Sequence, residues 1–281
     1  MDIITDIAAM QQRCLAERLA GRRIAFVPTM GYLHDGHASL LRAGRQRGEL
    51  LALSIFVNPT QFGPQEDLDR YPRDFPRDEA LARENGVDLL FYPAAAAIYP
   101  PGYSTYVSVD GPLTETLEGA SRPGHFRGVA TVVAKLLLIV QPHVALFGCK
   151  DFQQLAVIRR MCGDLNLPVE IAGLPTVREA DGLALSSRNV YLSAAEREQA
   201  LVLSRALVSA QQLARDGVRD CAAILAHLRP MIEAQPAARI DYLKICHQAT
   251  LHEQAQVDRD SVLLLAVFVG RTRLIDNSLL L

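Results

Sequence analysis

Short apolar runs alternate with stretches of helical periodicity through the first 175 residues. Four runs are apolar without a period of two, which is typical of strands buried on both faces of a sheet. These runs are Ile24–Val27, Leu51–Val57, Val87–Tyr92 and Val144–Gly148, and Val169–Ala172 is expected to add another strand. Apolar residues at helical spacing lie between them, in Ala38–Arg47, Asp78–Asn85 and Phe126–Val140. This alternation predicts an α/β fold with a Rossmann-like, doubly wound parallel sheet and helices on both faces.

The pattern changes after residue 175. Residues 194–234 are expected to form two helices that break near Asp216–Gly217. Two β-rich segments follow, Ile240–Cys246 and Ser261–Leu274, and the second is apolar enough for a central strand. We therefore predict two domains: a Rossmann-like domain over residues 1–175 and a smaller α+β lid domain over residues 176–281.

Composition narrows the class of protein. Hydrophobic residues make up 49% of the 281 residues and the net charge is −2, a balance that fits a globular chain and disfavours nucleic-acid binding. The five cysteines are odd in number and include no CxxC pair, which argues against a disulfide framework and a structural zinc site.

Targeting and membrane signals are weak. The most apolar stretch, Val129–Val140, contains Lys135 and spans about 12 residues, whereas a membrane helix needs about 20. Asp2 and Asp6 lie where a secretory signal peptide needs positive charge. We expect a cytoplasmic protein that binds small molecules, with no membrane and no nucleic-acid partner.

The loop Pro28–His37 leaves the first predicted strand and enters a helix expected to start near His37. Ligands of open parallel sheets bind beyond the carboxyl ends of the strands, and the N–H groups of a helix N-terminus suit phosphate. Gly31 and Gly36 allow close approach of the backbone to a ligand. His34 and His37, three residues apart, can donate hydrogen bonds to one phosphate group, although isolated histidines often only fill a core or a surface.

A second loop, Phe147–Gln154, also connects a strand to a helix. Lys150 is one of three lysines in a chain with 26 arginines, and a compact ammonium suits phosphate neutralisation. Helix capping alone could explain Asp151. Gln154 is expected either to face the same cleft or to face solvent.

Two further loops carry polar side chains. Leu183–Asn189 could close over a triphosphate with its hydroxyls and the guanidinium of Arg188, and its position at the predicted domain junction slightly favours this interpretation over an ordinary turn with a surface arginine. In Asn58–Gly63, Asn58 and Gln61 can bind hydroxyl and carboxylate groups, but Asn-Pro alone also makes a turn. Three charged residues downstream are assigned no role: Asp67, Asp69 and Arg70.

The chain contains no GxxxxGK[ST] motif and no GxGxxG motif, which argues against Walker-type NTPases and dinucleotide oxidoreductases. The HxGH sequence instead resembles the nucleotidylyltransferase superfamily. Together with four other segments it resembles one family within it, the pantothenate synthetases (pantoate–β-alanine ligases), of which NPTQF and GxKDFQQ are specific. The matching segments are PTMGYLHDGH (28–37), FVNPTQFGPQEDLDRYPRD (56–74), SRPGHFRGV (121–129), FGCKDFQQL (147–155) and LSSRN (185–189).

The resemblance implies a set of site residues. The catalytic groups would be His34, His37, Lys150 and Arg188, and Gln61 and Gln154 would hold pantoate, with Gln61 also near β-alanine. The ATP site would consist of Met30, Gly31, Tyr32, Leu33, His34, Asp35, Gly36, His37, Gly148, Cys149, Lys150, Asp151, Val177, Leu185, Ser186, Ser187 and Arg188. The chain departs from the family at Cys149, where Glu or Gln is usual, and at Leu185, where Met is usual.

The resemblance also implies the reaction. The pantoate carboxylate would attack the α-phosphate of MgATP to give pantoyl adenylate and pyrophosphate, and β-alanine would then displace AMP. Mg²⁺ would be held mainly by the phosphates, without dedicated protein ligands, and the enzyme would be a homodimer. Two alternatives remain: another HxGH nucleotidylyltransferase that acts on a phosphorylated acceptor, and a non-catalytic ATP-sensing or scaffold protein.

Overall fold

The computed structural model describes residues 1–64 and 66–281, and Gln65, within the 56–74 motif, lies outside the described residues. Six of the described strands form one parallel sheet in the order β1-β4-β3-β2-β5-β6. Their bounds are β1 Asp2–Ile4, β2 Ile24–Thr29, β3 Leu50–Ile55, β4 Leu89–Phe91, β5 Val144–Gly148 and β6 Glu170–Leu174. The predicted parallel α/β sheet is confirmed.

Helices cover both faces of this sheet. They are α1 Ile7–Leu19, α2 Asp35–Arg47, α3 Phe75–Glu84, α4 Ala95–Ile98, α5 Pro112–Glu115, α6 Glu118–Ser121, α7 His125–Val140 and α8 Phe152–Asp164. Helices α1, α7 and α8 contribute to the hydrophobic core on one face, and α2 and α3 contribute to the core on the other. Across residues 1–64 and 66–281, no helix is both long enough and apolar enough to cross a membrane.

The sequence pattern missed the first strand and the first helix. β1 is a three-residue edge strand that pairs with β4 through its backbone, and so short a run carries no periodicity. Helix α1 begins after Asp6, whose carboxylate accepts a hydrogen bond from the N–H of Ala9 at 2.8 Å.

The C-terminal part is an antiparallel three-stranded sheet covered by two helices. Helices α9 Ala194–Arg215 and α10 Cys221–Glu233 separate near residues 216–217, as expected, and the strands are β7 Ala238–His247, β8 Ser261–Val269 and β9 Thr272–Leu279. β8 is the central strand. The prediction of one strand over Ser261–Leu274 is wrong, because the chain turns at Gly270, where φ is +58°, and returns as β9.

The order of the strands determines where the loops meet. β2 is hydrogen-bonded to β3 on one side and to β5 on the other, so the direction of winding reverses between β2 and β5. Because parallel strands end at the same edge, the loops after β3, β2 and β5 lie side by side. These are the loops that contain Gln61, the two histidines and Lys150.

Candidate active site

The loop after β2 is shaped by its two histidines. The Nδ1 atom of His34 accepts a hydrogen bond from the N–H of Gly36 at 3.2 Å, and the N–H of His34 donates to Nδ1 of His37 at 3.2 Å. These bonds form a capping box, and α2 therefore begins at Asp35, earlier than the sequence pattern suggested. Since both Nδ1 atoms accept, each neutral imidazole carries its proton on Nε2.

The surroundings keep both rings neutral. Burial lowers the pKa of His34 to about 4, and the Lys150 ammonium acts in the same direction. Burial, His34 and Lys150 together lower the pKa of His37 well below its ordinary value. The ring centroids are 4.1 Å apart. At neutral pH the pair therefore offers two uncharged Nε2–H donors from one helical turn.

A buried carboxylate also binds the backbone of the loop after β2. Asp78 on α3 is 2% exposed, and its two oxygens accept hydrogen bonds from the N–H groups of Tyr32 at 2.7 Å and Leu33 at 2.6 Å. Tyr32 has a φ of +50°, a conformation that is strained for a residue with a side chain. Gly31 has a φ of +86°, and a Cβ there would lie 3.0 Å from the Asp78 carboxylate. The loop conformation thus depends on Asp78.

The loop after β5 forms a short 3₁₀ turn, Cys149–Asp151. Within the described part of the chain, the carboxylate of Asp151 accepts no capping hydrogen bond at α8, so capping does not explain this residue. Its Oδ1 lies 3.7 Å from Nζ of Lys150, whose side chain is 19% exposed. The thiol-bearing Cys149 packs against the hydrophobic core beside the sheet.

The loop Leu185–Arg188 lies against the histidine loop. Oγ of Ser187 is 3.5 Å from the carbonyl oxygen of Tyr32. Arg188 forms a two-point ion pair with Asp67, at 2.9 Å from Nε to Oδ2 and 2.7 Å from Nη2 to Oδ1. Burial raises the pKa of Asp67, but the guanidinium outweighs it and holds the pKa below its ordinary value. Arg188 is therefore not a free surface arginine, and Asp67 acts as its partner.

The loop after β3 presents an oriented amide. Gln61 is 8% exposed, and its Oε1 accepts a hydrogen bond from Nδ2 of Asn58 at 3.0 Å. Its Nε2 therefore faces the cavity side, where Sδ of Met30 is 3.1 Å away. The main chain of this loop packs on α7 at Gly128, whose carbonyl accepts from Asn58 at 3.1 Å. Gln154 on α8 is half-buried and also lines the cavity, so it is not a solvent-facing residue.

His125 and Arg122 extend the polar wall. Nδ1 of His125 donates to the carbonyl oxygen of Gln61 at 2.9 Å, and Arg122 donates to Nε2 of His125 at 3.1 Å, which fixes a neutral tautomer. Burial, followed by the Arg122 charge, lowers the pKa of His125 to about 4. Arg122 also forms a two-point ion pair with Glu66, at 2.8 and 2.7 Å.

All four loops border one cavity of about 230 Å³. Of the residues expected in the site, those that line it are Met30, His34, Gly36, His37, Gln61, Gly148, Lys150, Asp151, Gln154, Val177, Leu185, Ser186, Ser187 and Arg188. The others lie elsewhere. Gly31 and Tyr32 line a second cavity of about 490 Å³ behind the loop, Leu33 is buried, Asp35 is exposed and Cys149 packs against the core.

Several lining residues were not singled out from the sequence. They are Phe56, Phe62, Tyr71, Arg122, His125, Val129, Val132, Val133 and Leu136. The segment SRPGHFRGV pointed to Arg122 and His125, but it gave them no role. The valines belong to the most apolar stretch of the chain. A helix face that lines a pocket and one that packs in the core have the same apolar pattern, so the sequence could not distinguish them.

A parallel sheet with two histidines and a lysine at its switch point, groups suited to phosphate, is typical of α/β proteins that bind a nucleotide. The family model for pantoate-beta-alanine ligase matches residues 2–279, and the chain belongs to this family. It is 63% identical to the pantothenate synthetase of Syntrophotalea carbinolica over 281 residues, which cover 100% of this chain and 99% of the relative. It is 58% identical to that of Syntrophus aciditrophicus, over 99% of this chain and 96% of the relative.

Solved structures agree with this assignment. Pantothenate synthetase from Thermus thermophilus matches with a TM-score of 0.95 at 49% identity, covering 100% of this chain and 99% of the other. Pantoate-beta-alanine ligase from Francisella tularensis, complexed with beta-gamma ATP and beta-alanine, matches with a TM-score of 0.83 at 33% identity, covering 99% and 97%. The resemblance drawn from the sequence motifs is confirmed.

Proposed function

We propose that this enzyme joins pantoate to β-alanine with ATP, forming pantothenate, AMP and pyrophosphate through a bound pantoyl adenylate. One observation carries the proposal: two neutral imidazole donors, one ammonium and two glutamine amides border a single cavity at the carboxyl edge of the sheet. The complex of the Francisella relative with beta-gamma ATP and beta-alanine supports the same substrates here. The cavity is suited to the first step of the reaction because ATP is polyanionic and pantoate is a small hydroxy acid.

The phosphate side of the cavity is assigned to ATP. Attack on the α-phosphate builds negative charge on its oxygens, and fixed donors stabilise such charge most when they need not reorganise. Nε2–H of His34 and His37 supply two neutral donors, Lys150 supplies a full positive charge, and the dipole of α2 adds a partial positive charge at its N-terminus. Arg188 joins them by exchanging the Asp67 carboxylate for a phosphate.

The amide side of the cavity is assigned to pantoate. Asn58 holds the Gln61 amide so that its N–H₂ group donates to a substrate oxygen, and Gln154 offers a second amide. Pantoate also carries two methyl groups on one carbon, and Val132 and Val133 of α7 supply an apolar wall for them. The carboxylate of pantoate then lies between this wall and the phosphate side.

We assign Mg²⁺ to the phosphates of ATP. Among residues 1–64 and 66–281, no group of three or more histidine, cysteine, aspartate or glutamate side chains is placed to hold a metal ion. Asp151 is the one carboxylate among the described residues that line the cavity, so the protein supplies at most one side-chain ligand. Phosphate oxygens and water would complete the coordination, as is usual for Mg²⁺.

We also propose that the chain divides near residue 175 into a sheet domain and a lid. Its support is the separate hydrophobic core formed by α9, α10 and the three-stranded sheet. A lid would exclude water from the hydrolysable adenylate. The family resemblance further favours a homodimer in the cytoplasm, which light scattering and cell fractionation would test.

Replacing the phosphate-binding groups tests the proposal. We expect His37→Ala and Lys150→Ala each to lower the single-turnover rate of pyrophosphate release by about 10²–10³-fold, as for loss of one preorganised donor. His227→Ala and Lys244→Ala are matched controls, because His227 is exposed on α10 and Lys244 pairs with Glu253 on the C-terminal sheet. Wild-type rates in either site variant would remove that residue from the mechanism.

A further inference from the structure

A side chain from the C-terminal sheet reaches the lysine loop. Asn277 lies on β9 and is 8% exposed. Its Nδ2 donates hydrogen bonds to the carbonyl oxygens of Cys149 at 2.9 Å and Lys150 at 2.8 Å. Both protons of one amide group are thus directed to successive carbonyls of the 3₁₀ turn that presents Lys150.

Asn277 is itself held in place. Its N–H donates to Oδ1 of Asp276 at 2.9 Å, and Asp276 is 3% exposed. The carboxylate of Asp276 forms a two-point ion pair with Arg178, with N–O distances of 2.6 and 2.9 Å. Arg178 precedes the Leu185–Arg188 loop, and the N–H of Leu185 bonds to the carbonyl of Val177. Two adjacent residues of β9 thus bind segments that border the cavity. Asn277 binds the lysine loop, and Asp276 pairs with Arg178 in the segment that precedes Leu185–Arg188.

The Asn277 amide binds the carbonyl groups of both peptide units that flank the Lys150 Cα, and it thereby fixes the orientation of these units. That orientation sets the direction in which the Lys150 side chain leaves the backbone. Serine has one hydroxyl proton and aspartate has none when ionised, so neither can reproduce both bonds. We infer that Asn277 is a positioning residue that aims Lys150 at the cavity, an inference that rests on the proposed role of Lys150 in catalysis.

Removing the amide should therefore act through Lys150. We expect Asn277→Ala to lower the single-turnover rate by about 10- to 100-fold, the scale on which small misplacements of catalytic groups act. The KM for pantoate should change by less than about 3-fold, because Asn277 binds the 3₁₀ turn Cys149–Asp151, whereas Gln154 lies in helix α8 and Gln61 lies in the loop after β3.

A carboxylate at this position gives a distinct signature. In Asn277→Asp an ionised oxygen would face two carbonyl oxygens, and electrostatic repulsion would displace the 3₁₀ turn from β9. Once protonated, the carboxyl group donates one hydrogen bond and restores part of the contact. We expect the activity of Asn277→Asp, relative to wild type at each pH, to rise as the pH falls from 8 to about 6. The recovery should be absent in Asn277→Ala, which has no titrating group at this position.

The decisive experiment is a double-mutant cycle between Asn277→Ala and Lys150→Ala, read by single-turnover pyrophosphate release and by ATP binding in calorimetry. If Asn277 acts through Lys150, Asn277→Ala should change either quantity by less than about 3-fold in the Lys150→Ala background. Gln211→Ala is the control, because the Gln211 amide also binds β9, at Ser278 and Leu279, away from the lysine loop. It should leave the rate unchanged.

The outcomes separate the inference from the proposed function. An equal loss from Asn277→Ala in both backgrounds, or a loss of the same size from Gln211→Ala, would overturn the positioning role. So would a wild-type rate in Asn277→Ala when Lys150→Ala is impaired, and the proposed function would then stand. A wild-type rate in Lys150→Ala would remove Lys150 from the mechanism and overturn the positioning role, whereas failure of the parent enzyme to release pyrophosphate and form pantothenate would overturn the proposed function.

Discussion

Asp78→Asn is a sharp perturbation of the site, because it changes one atom and leaves the volume of the side chain unchanged. The carboxylate accepts the N–H groups of Tyr32 and Leu33, and it is 2% exposed. Asparagine has one acceptor oxygen, so one N–H would face the new N–H₂ group in a buried position. The loop between β2 and α2 would lose the support that holds Tyr32 at a φ of +50°.

The magnitude follows from the two bonds. A hydrogen bond to a charged group contributes roughly 1.5–3 kcal/mol, and the bond that remains becomes a neutral one worth about 1 kcal/mol. Burial raises the pKa of Asp78, so the neutral asparagine also avoids part of the cost of burying a charge. The free energy of unfolding should therefore fall by about 2 kcal/mol, which corresponds to about 3–4 °C in Tm for a chain of this length. Relaxation of Tyr32 would also shift His34 and His37, and we expect about a 10²-fold loss of single-turnover rate.

Urea unfolding and stopped-flow pyrophosphate release would measure the two effects. Glu79→Gln is the matched control, since it makes the same chemical change one residue along α3, where Glu79 forms an i,i+4 ion pair with Arg83. That variant should lose less than about 0.5 kcal/mol. The claim that Asp78 supports the loop would be refuted by two results together. The unfolding free energy of Asp78→Asn would lie within about 1 kcal/mol of the parent value, which is less than the loss of one charged hydrogen bond, and the variant would turn over at the parental rate.

Two further predictions concern stability and packing. His125 has a pKa of about 4 in the folded protein against about 6.5 when unfolded, so the unfolded chain binds its proton first and stability is lost as the pH falls from about 6.5 toward 4. We expect the contribution of His125 to make the free energy of unfolding about 2 kcal/mol lower at pH 5 than at pH 7. Urea titrations at the two pH values would measure this difference, and the contribution should be absent in His125→Asn. A Cβ at Gly128 would overlap the carbonyl oxygen of Thr60, so Gly128→Ala should cost about 1–3 kcal/mol and raise the KM for pantoate about 10-fold. Gly163→Ala on α8 meets open space and should instead stabilise the protein slightly in the same unfolding assay, whereas equal behaviour of the two variants would contradict the packing argument.

The sheet and its functional edge could be predicted because buried parallel strands are continuous apolar runs. Three of the four loops that carry polar side chains directly follow such a run, so their place at the carboxyl edge followed from the parallel arrangement of the strands. The spacing of His34 and His37 predicted one shared helical turn. Their capping box could not be predicted, since histidine is not a usual N-cap residue.

The partners that hold the loops were beyond the reach of sequence pattern. Asp78 lies 45 or more residues from the N–H groups that it accepts, Asp67 lies 121 residues from Arg188, and Asn277 lies 127 residues from Lys150. Local periodicity reports which face of an element is buried, but it does not report which distant loop packs there. A polar residue in a strand such as β9 therefore has the same sequence pattern whether it faces solvent or binds a loop that lines the cavity.

Release of pyrophosphate from ATP and pantoate in the absence of β-alanine is the most direct test of the adenylate-forming ligase reaction. We expect a single-turnover burst of pyrophosphate, followed by AMP and pantothenate in equal amounts once β-alanine is added. Pyrophosphate release that required β-alanine would contradict the bound adenylate. The absence of both the burst and pantothenate would contradict the ligase reaction itself.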